Sequence, residues 1–515
     1  MRLFRMNSGQ ARVRLVQVGA ALAAAALVAG CGNNYRPVIT PINPTGPAPQ
    51  PSSYAVVVSA PSPTTPGIAT IIDYSGDSVM AQAPVGPGPT TFTVDTSGSS
   101  GYTVNSDHTM TNFPVSSNLQ EKNVDYTTLP TTANLVNVLS LTGGLWVADL
   151  DGNIADLFAG SPETFVRSIP LAPTPVMIVG TPANQQRNFG ISQGNSQGGV
   201  VSSDVACNLS PTTAPAGEAD GIEVSNDTIS SRIPLGQCPV YAVESNDGRR
   251  LFVLNRGGDS TNPGGSITVI NVQNNTPDSC IPFQNQAGHW VTCHPSIALP
   301  AGPVYAEFNA TTQQLVVANY DSNTISIIDV SLDEYGNDYN SYANDNCMVS
   351  GESAYANCGA ITGGFGTTFT VPVGNNPASV TVLNDGSRAY TANQADSTVT
   401  VVNLSSHTAV KTLAVTGYPR TVVSTQNSTQ GKVYVASPNS PYLTIIRTDL
   451  DIVDTTVLVE GDIVDVRVST QNAVSGNSNS VSRIPGHGQP CDLPPAAMAA
   501  KYTANYTLLE CQAQP

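Results

Sequence analysis

A period of two runs through much of the chain. From Asn376 the sequence reads Pro377-Ala-Ser-Val-Thr-Val382, a short alternation of apolar and polar side chains, and then meets Asn384-Asp385-Gly386. Arg388-Ala-Tyr-Thr-Ala-Asn393 follows, then Ser397-Thr-Val-Thr-Val-Val-Asn403, then His407-Thr-Ala-Val-Lys-Thr-Leu-Ala-Val415, and Gly417-Tyr-Pro419 restarts the series. Successive side chains of an extended strand point to opposite faces, so such alternation reads as strand. Asp-Gly supplies the positive φ that a tight hairpin needs, and Pro marks the start of the next run because it cannot donate to a ladder. The segment therefore predicts four antiparallel strands within some 42 residues.

The unit recurs. Cys238-Pro239-Val-Tyr-Ala-Val-Glu-Ser-Asn246-Asp247-Gly248 leads into Arg-Arg-Leu-Phe-Val-Leu-Asn255 and Ser266-Ile-Thr-Val-Ile-Asn271. Gly302-Pro303-Val-Tyr-Ala precedes Gln314-Leu-Val-Val-Ala-Asn319 and Asn323-Thr-Ile-Ser-Ile-Ile-Asp329; Tyr418-Pro419 precedes Lys432-Val-Tyr-Val-Ala436 and Leu443-Thr-Ile-Ile446. Weaker copies lie upstream at Gly88–Val94, Thr132–Val138 with Leu145–Asp149, and Thr174–Val179. Four short strands per repeat is one blade of a β-propeller, so the predicted class is all-β, a β-propeller of four-stranded antiparallel blades. The first strands, Tyr54–Val58, Ile68–Asp73 and Ser78–Gln82, read as the second to fourth of a blade, and Asp462–Val468 reads as a lone first strand. Pairing them would complete one blade from both ends of the chain and leave no free edge. That arithmetic favours eight blades over seven, with the propeller spanning 54–470.

The same residues resemble the YVTN β-propeller repeat family, whose pattern is a Pro-led strand, an Asp-Gly turn, a Tyr-Val-Ala-Asn strand and then Thr-Val-x-Val-Ile-Asp. The likeness is clearest at Arg388-Ala-Tyr-Thr-Ala-Asn393, Leu315-Val-Val-Ala-Asn319 and Lys432-Val-Tyr-Val-Ala436, strong over 238–450 and diluted over 54–237. The resemblance implies the fold; seven blades is the commoner number it brings. It implies almost nothing about activity, because the repeated residues build strands and turns.

Both ends lie outside the repeat. Arg2, Arg5, Arg12 and Arg14 precede an apolar run, Val18–Leu27, too short for a stable bilayer span. Val28-Ala29-Gly30-Cys31 then resembles a bacterial lipobox, so 1–30 is expected to be a lipoprotein signal peptide and Cys31 the lipidated (palmitate-bearing) residue. Residues 31–53 are a Pro-rich linker of extended polyproline character. Gly32 is not the Asp that retains enterobacterial lipoproteins at the inner membrane, so the protein is expected in the cell envelope, lipid-anchored, with outer-membrane sorting favoured. Residues 471–515 are expected to be a C-terminal tail pinned by a Cys491–Cys511 disulfide.

Charge narrows the partners. The chain carries 20 basic and 37 acidic residues, a net charge of −17, so no basic footprint for nucleic acid exists, and membrane contact is expected through the lipid alone. Only 11% of residues are charged, so the surface must be largely Ser, Thr, Asn, Gln and Gly.

Besides Cys31, eight cysteines remain: Cys207, Cys238, Cys280, Cys293, Cys347, Cys358, Cys491 and Cys511. In an oxidising compartment they are expected to pair with their sequence neighbours around irregular insertions, although eight cysteines allow 105 connectivities. Metal ligation is the rival, weakened by the absence of Cys-x-x-Cys.

Three segments carry candidate chemistry. His289-Trp290-Val-Thr-Cys293-His294 could ligate a metal if Cys293 were free, or be a loop stapled by Cys280. Asp149, Asp151 and Asn153 around Gly152 have the alternating oxygens of a calcium loop but lack its closing Glu, and read equally as a hairpin turn. Asp333, Asn337 and Asp338 belong to the most acidic and Tyr-rich insertion, which could take calcium or carbohydrate, or be a solvated loop. No cofactor is assigned; calcium is the one the two acidic segments suggest. No nucleophile elbow, His-Glu-x-x-His or phosphate loop occurs, and no catalytic residue is assigned. The expected function is a monomeric, envelope-anchored binding or scaffolding module for an unidentified protein or carbohydrate. The alternative is a lactonase-like hydrolase or lyase working at the central channel.

Overall fold

The computed structural model describes residues 53–469, apart from 63, 131–133, 142–143, 181–185, 201–206, 208–210, 282, 285–289 and 343–360. The signal segment, Cys31, most of the linker, the tail, and Cys347, Cys358, Cys491 and Cys511 lie outside the described residues.

Strands and short turns make up the described chain, with no α-helix. The clearest sequence repeat folds as expected: Pro377–Val382, Arg388–Asn393, Thr398–Asn403 and Thr408–Ala414 pair antiparallel in that order. Burial falls from inside to outside, since the first strand is buried throughout and the fourth is exposed at six of seven positions. The inner strands are covered on both faces because sheets stack face to face. Apolar layers fill the gaps: Tyr390, Val399 and Val401 pack with Val433 and Val435 of the next sheet, and Val56, Val58 and Ile71 pack with Phe92 and Phe113.

Five further four-stranded sheets share this order, and one larger sheet combines two such units. In the larger sheet Thr228–Glu244 is one long strand. Its first part pairs with Ala216–Glu223 and its second with Arg250–Gly258. The sequence suggested a clean restart at Cys238-Pro239. Instead Cys238 adopts φ +51° and the register shifts there, so the strand bends without ending. Cys207–Cys238 and Cys280–Cys293 are disulfides, as neighbour pairing anticipated.

The first strands of successive units lie side by side. Asp462–Val468 borders Pro89–Val94, followed by Leu135–Leu141, Pro175–Val179, Thr228–Glu244, Pro303–Asn309, Pro377–Val382 and Thr421–Ser424, which again borders Asp462–Val468. Asp462–Val468 also pairs antiparallel with Tyr54–Ala60, so strands from both ends of the described chain share one sheet.

The Asn that closes the second strand of a repeat has a mechanical purpose. Asn393 Nδ2 donates to Thr400 Oγ1 (2.8 Å) on the third strand, and Thr400 Oγ1 also accepts the Gly374 N–H (3.3 Å) from the end of the preceding sheet. Asn255, Thr268 and Gly236 repeat the arrangement, as do Asn105, Thr111 and Gly86. A Cβ on Gly374 would sit 2.7 Å from the Asn393 amide, so the Gly is required by close approach. Gly374→Ala is expected to displace that amide and lower stability by about 1–3 kcal/mol, read from denaturant midpoints.

The sequence pattern opens the fourth strand at His407, whereas the strand begins at Thr408. His407 sits in the turn before that strand, at φ +52° and stacked on Phe369 at 3.8 Å. Its polar ring tolerates the left-handed turn position better than a β-branched residue would.

Candidate functional site

Two insertions leave the same place on consecutive sheets, between the third and fourth strands. One follows Ser266–Asn271 and contains the Cys280–Cys293 disulfide; the other follows Thr324–Asp329 and contains Asp333–Asp338. They meet around Arg250, which lies at the start of the second strand of its unit. The Arg250 guanidinium reaches Asp278 Oδ1 (3.4 Å) from the first insertion and Asp338 Oδ1 (3.2 Å) from the second. His294 Nδ1 lies 2.7 Å from the other Asp338 oxygen, and its ring packs on Phe365. Arg250, Asp278 and Asp338 are all at most 3% exposed. Burial pushes the Asp278 carboxyl up to about 6; the neighbouring Asp338 carboxylate adds to the rise, and Arg250 opposes it.

Above this cluster a cavity of about 230 Å³ opens between the insertions. Arg250, Asp278 and Asp338 line its inner part, Asn271, Asn274 and Asn337 its polar wall, and Phe283, 38% exposed, contributes an aromatic side. Asp278 Oδ2 is buried and accepts no hydrogen bond.

Asp338, Asn337, Cys280 and Cys293 are thus brought together, while the other candidate residues are not. Asp149 Oδ1 accepts the N–H groups of Gly152 (3.0 Å) and Asn134 (3.1 Å). Asp151 is exposed, and Asn153 at φ +53° accepts the Thr174 N–H. These oxygens organise a hairpin. Asp333 Oδ1 likewise accepts the N–H groups of Tyr335 and Asn337, both at 2.9 Å, shaping its own loop. Among the described residues no three His, Cys, Asp or Glu side chains are grouped to hold a metal ion. His289 lies outside the described residues.

Sequence reading missed Arg250 and Asp278. Arg250 follows Asn-Asp-Gly-Arg as Arg388 follows Asn-Asp-Gly-Ser, and Arg388 makes a partly exposed ion pair with Asp451 (3.4 Å). Nothing at that repeat position distinguishes the two. The difference comes from the insertions that close over Arg250.

The first strands carry a second polar group. Tyr241 and Tyr305 pack with tilted rings, their centroids 4.6 Å apart. Arg467, fully buried, donates to Asp465 Oδ2 (3.0 Å) and to the Val466 carbonyl. Burial raises both tyrosine hydroxyls well above their ordinary range, and the Arg467 charge pulls the other way at each. Arg467 and the two tyrosines belong to different first strands, so together they occupy the interior that those strands surround.

No family model matches the chain, and no curated protein is similar to it. Solved structures are. The structure of apo AztD from Citrobacter koseri is 11% identical, covering 81% of this chain and 97% of AztD at a TM-score of 0.51. A crystal structure of Citrobacter koseri AztD gives 10%, 81%, 97% and 0.52. Dihydro-heme d1 dehydrogenase NirN in complex with DHE is 10% identical, covering 83% of this chain and 78% of NirN at a TM-score of 0.52. Both neighbours are β-propeller proteins. The fold here is a β-propeller. At such identities the likeness extends to the propeller architecture and not to its chemistry.

Proposed function

We propose that this propeller is a cell-envelope binding module, an eight-bladed ring of YVTN-like repeats tethered by a lipid on Cys31, whose recognition site is the cavity between the two insertions. The observation carrying this reading is that insertions from the same position on consecutive sheets close over one buried ion cluster and leave a polar cavity above it. Propeller loops vary while the strands beneath them stay rigid, which suits recognition. The net charge of −17 favours a protein or carbohydrate partner over nucleic acid. The lactonase-like alternative would use the interior surrounded by the first strands, and there Arg467, Tyr241 and Tyr305 already fill space.

Two measurements test the reading. Palmitate label should incorporate into the wild type and be absent from Cys31→Ser, which is then released in soluble form; label persisting in the variant overturns the tether. Solubilised cell-envelope material should raise the melting temperature of the full-length protein, because a ligand that binds only the folded state stabilises it. The rise should vanish in a Phe283→Ala/Asn274→Ala variant. No rise, or a rise unchanged in that variant, overturns the cavity as the recognition site.

A further inference from the structure

We infer that the cavity between the insertions takes a single sugar ring, a neutral polyol seated among Asn271, Asn274 and Asn337 and packed against Phe283; this inference rests on the binding-module reading and names its ligand class. The charge of the cluster is the first argument. Arg250 is already shared between the Asp278 and Asp338 carboxylates, so its charge is compensated, although its buried Nε makes no hydrogen bond. Two carboxylates against one guanidinium leave the inner wall without excess positive charge, which disfavours a phosphate, sulfate or carboxylate ligand. A compact cation fits no better, because a guanidinium lies in the same wall.

The free hydrogen-bonding capacity is the second argument. Asp278 is 2% exposed, yet its Oδ2 accepts no hydrogen bond. That oxygen is sealed from the cavity as well as from solvent, so Asp278 serves to hold Arg250 and the contacts to a ligand fall to the amides of the wall. Asn271, Asn274 and Asn337 line the same space, and amides both donate and accept, matching hydroxyl groups that do the same. Phe283 offers an apolar ring for the C–H face of a pyranose. Size agrees as well: 230 Å³ is the volume of about eight liquid waters, room for one ring and not for an extended chain.

The test is calorimetric titration of the full-length protein with D-glucose, D-galactose, D-mannose and N-acetyl-D-glucosamine, with ethanolamine and inorganic phosphate as rival probes. At least one sugar should bind saturably. Asn274→Ala should weaken it about ten-fold or more, since an amide partner of the hydroxyls is lost, and Phe283→Ala, like it a change at an exposed side chain, should weaken it similarly. Failure of all four sugars to bind overturns the inference, as does binding of ethanolamine or phosphate in their place, or sugar binding that both variants leave unchanged. If envelope material still raises the melting temperature through Phe283 and Asn274 while no sugar binds, the binding-module reading stands and only the ligand class falls.

Discussion

A chain ending at residue 459 is expected not to fold. The lost strand, Asp462–Val468, pairs along Tyr54–Ala60 and lies against Pro89–Val94 and Thr421–Ser424, so its removal opens one sheet edge and uncovers two neighbouring layers. Ile463, Val466 and Val468 are at most 2% exposed and Val464 is 6% exposed. Each such side chain contributes about 1.5–3 kcal/mol on burial, and four of them rival the roughly 5–15 kcal/mol that holds an ordinary domain together. Arg467 and Asp465 leave with the strand and abandon Tyr241 and Tyr305. Circular dichroism and size-exclusion chromatography of the 1–459 chain should show aggregation or a collapsed melting transition. A chain ending at 470 should melt close to the full-length protein. Equal stability of the 1–459 and full-length chains would remove the basis for a ring closed by its own termini.

Arg250→Met should be the most damaging single substitution at the cavity. It keeps much of the volume but leaves Asp278 and Asp338 facing each other in a buried site without their shared cation. Breaking a buried pair from one side costs about 3–5 kcal/mol. The loss should depend on pH in a definite direction. Asp278 binds its proton more tightly in the folded state, at about 6 against an ordinary value of 3.8, so the fold gains from it fully below about pH 4 and loses that gain as pH rises through 6. Without Arg250 the carboxyl is pushed higher still. The stability difference between variant and wild type should therefore be larger at pH 8 than at pH 5, read from chemical denaturation at both. A pH-independent difference would mean that Arg250 contributes packing and not charge compensation.

The fold was legible in the sequence because its signals are local. Alternation in Ser397–Asn403, the Asp385-Gly386 turn and the Pro377 and Pro419 restarts each act within a few residues, and the structure follows them. Even the pairing of Tyr54–Ala60 with Asp462–Val468 could be read, since three strands at one end and a single strand at the other leave complementary gaps. Thr228–Glu244 was harder, because a Pro and a left-handed Cys238 usually end a strand and here only bend one. The site was legible in fragments. Cys280, Cys293 and Asp338 stood out by type, whereas Asp278 looked like one more acid in a loop and Arg250 like its repeat-mate Arg388. What makes these two special is an encounter between insertions 60 residues apart in sequence, measured from Asp278 to Asp338. No window of local pattern contains that encounter.

The Tyr54 N–H donates to Ser469 Oγ (2.8 Å) and the Ser469 N–H to the Tyr54 carbonyl (2.8 Å), so the first and last strands end at one point. The first and last described strands thus meet in one sheet. Linking Ser469 to Tyr54 through a short flexible joint and reopening the chain at an exposed turn, such as Ser405-Ser406, preserves every strand pairing. The same geometry sets how load travels: a pull applied upstream of Tyr54 enters beside the last described strand and acts first on the pairing of Tyr54–Ala60 with Asp462–Val468.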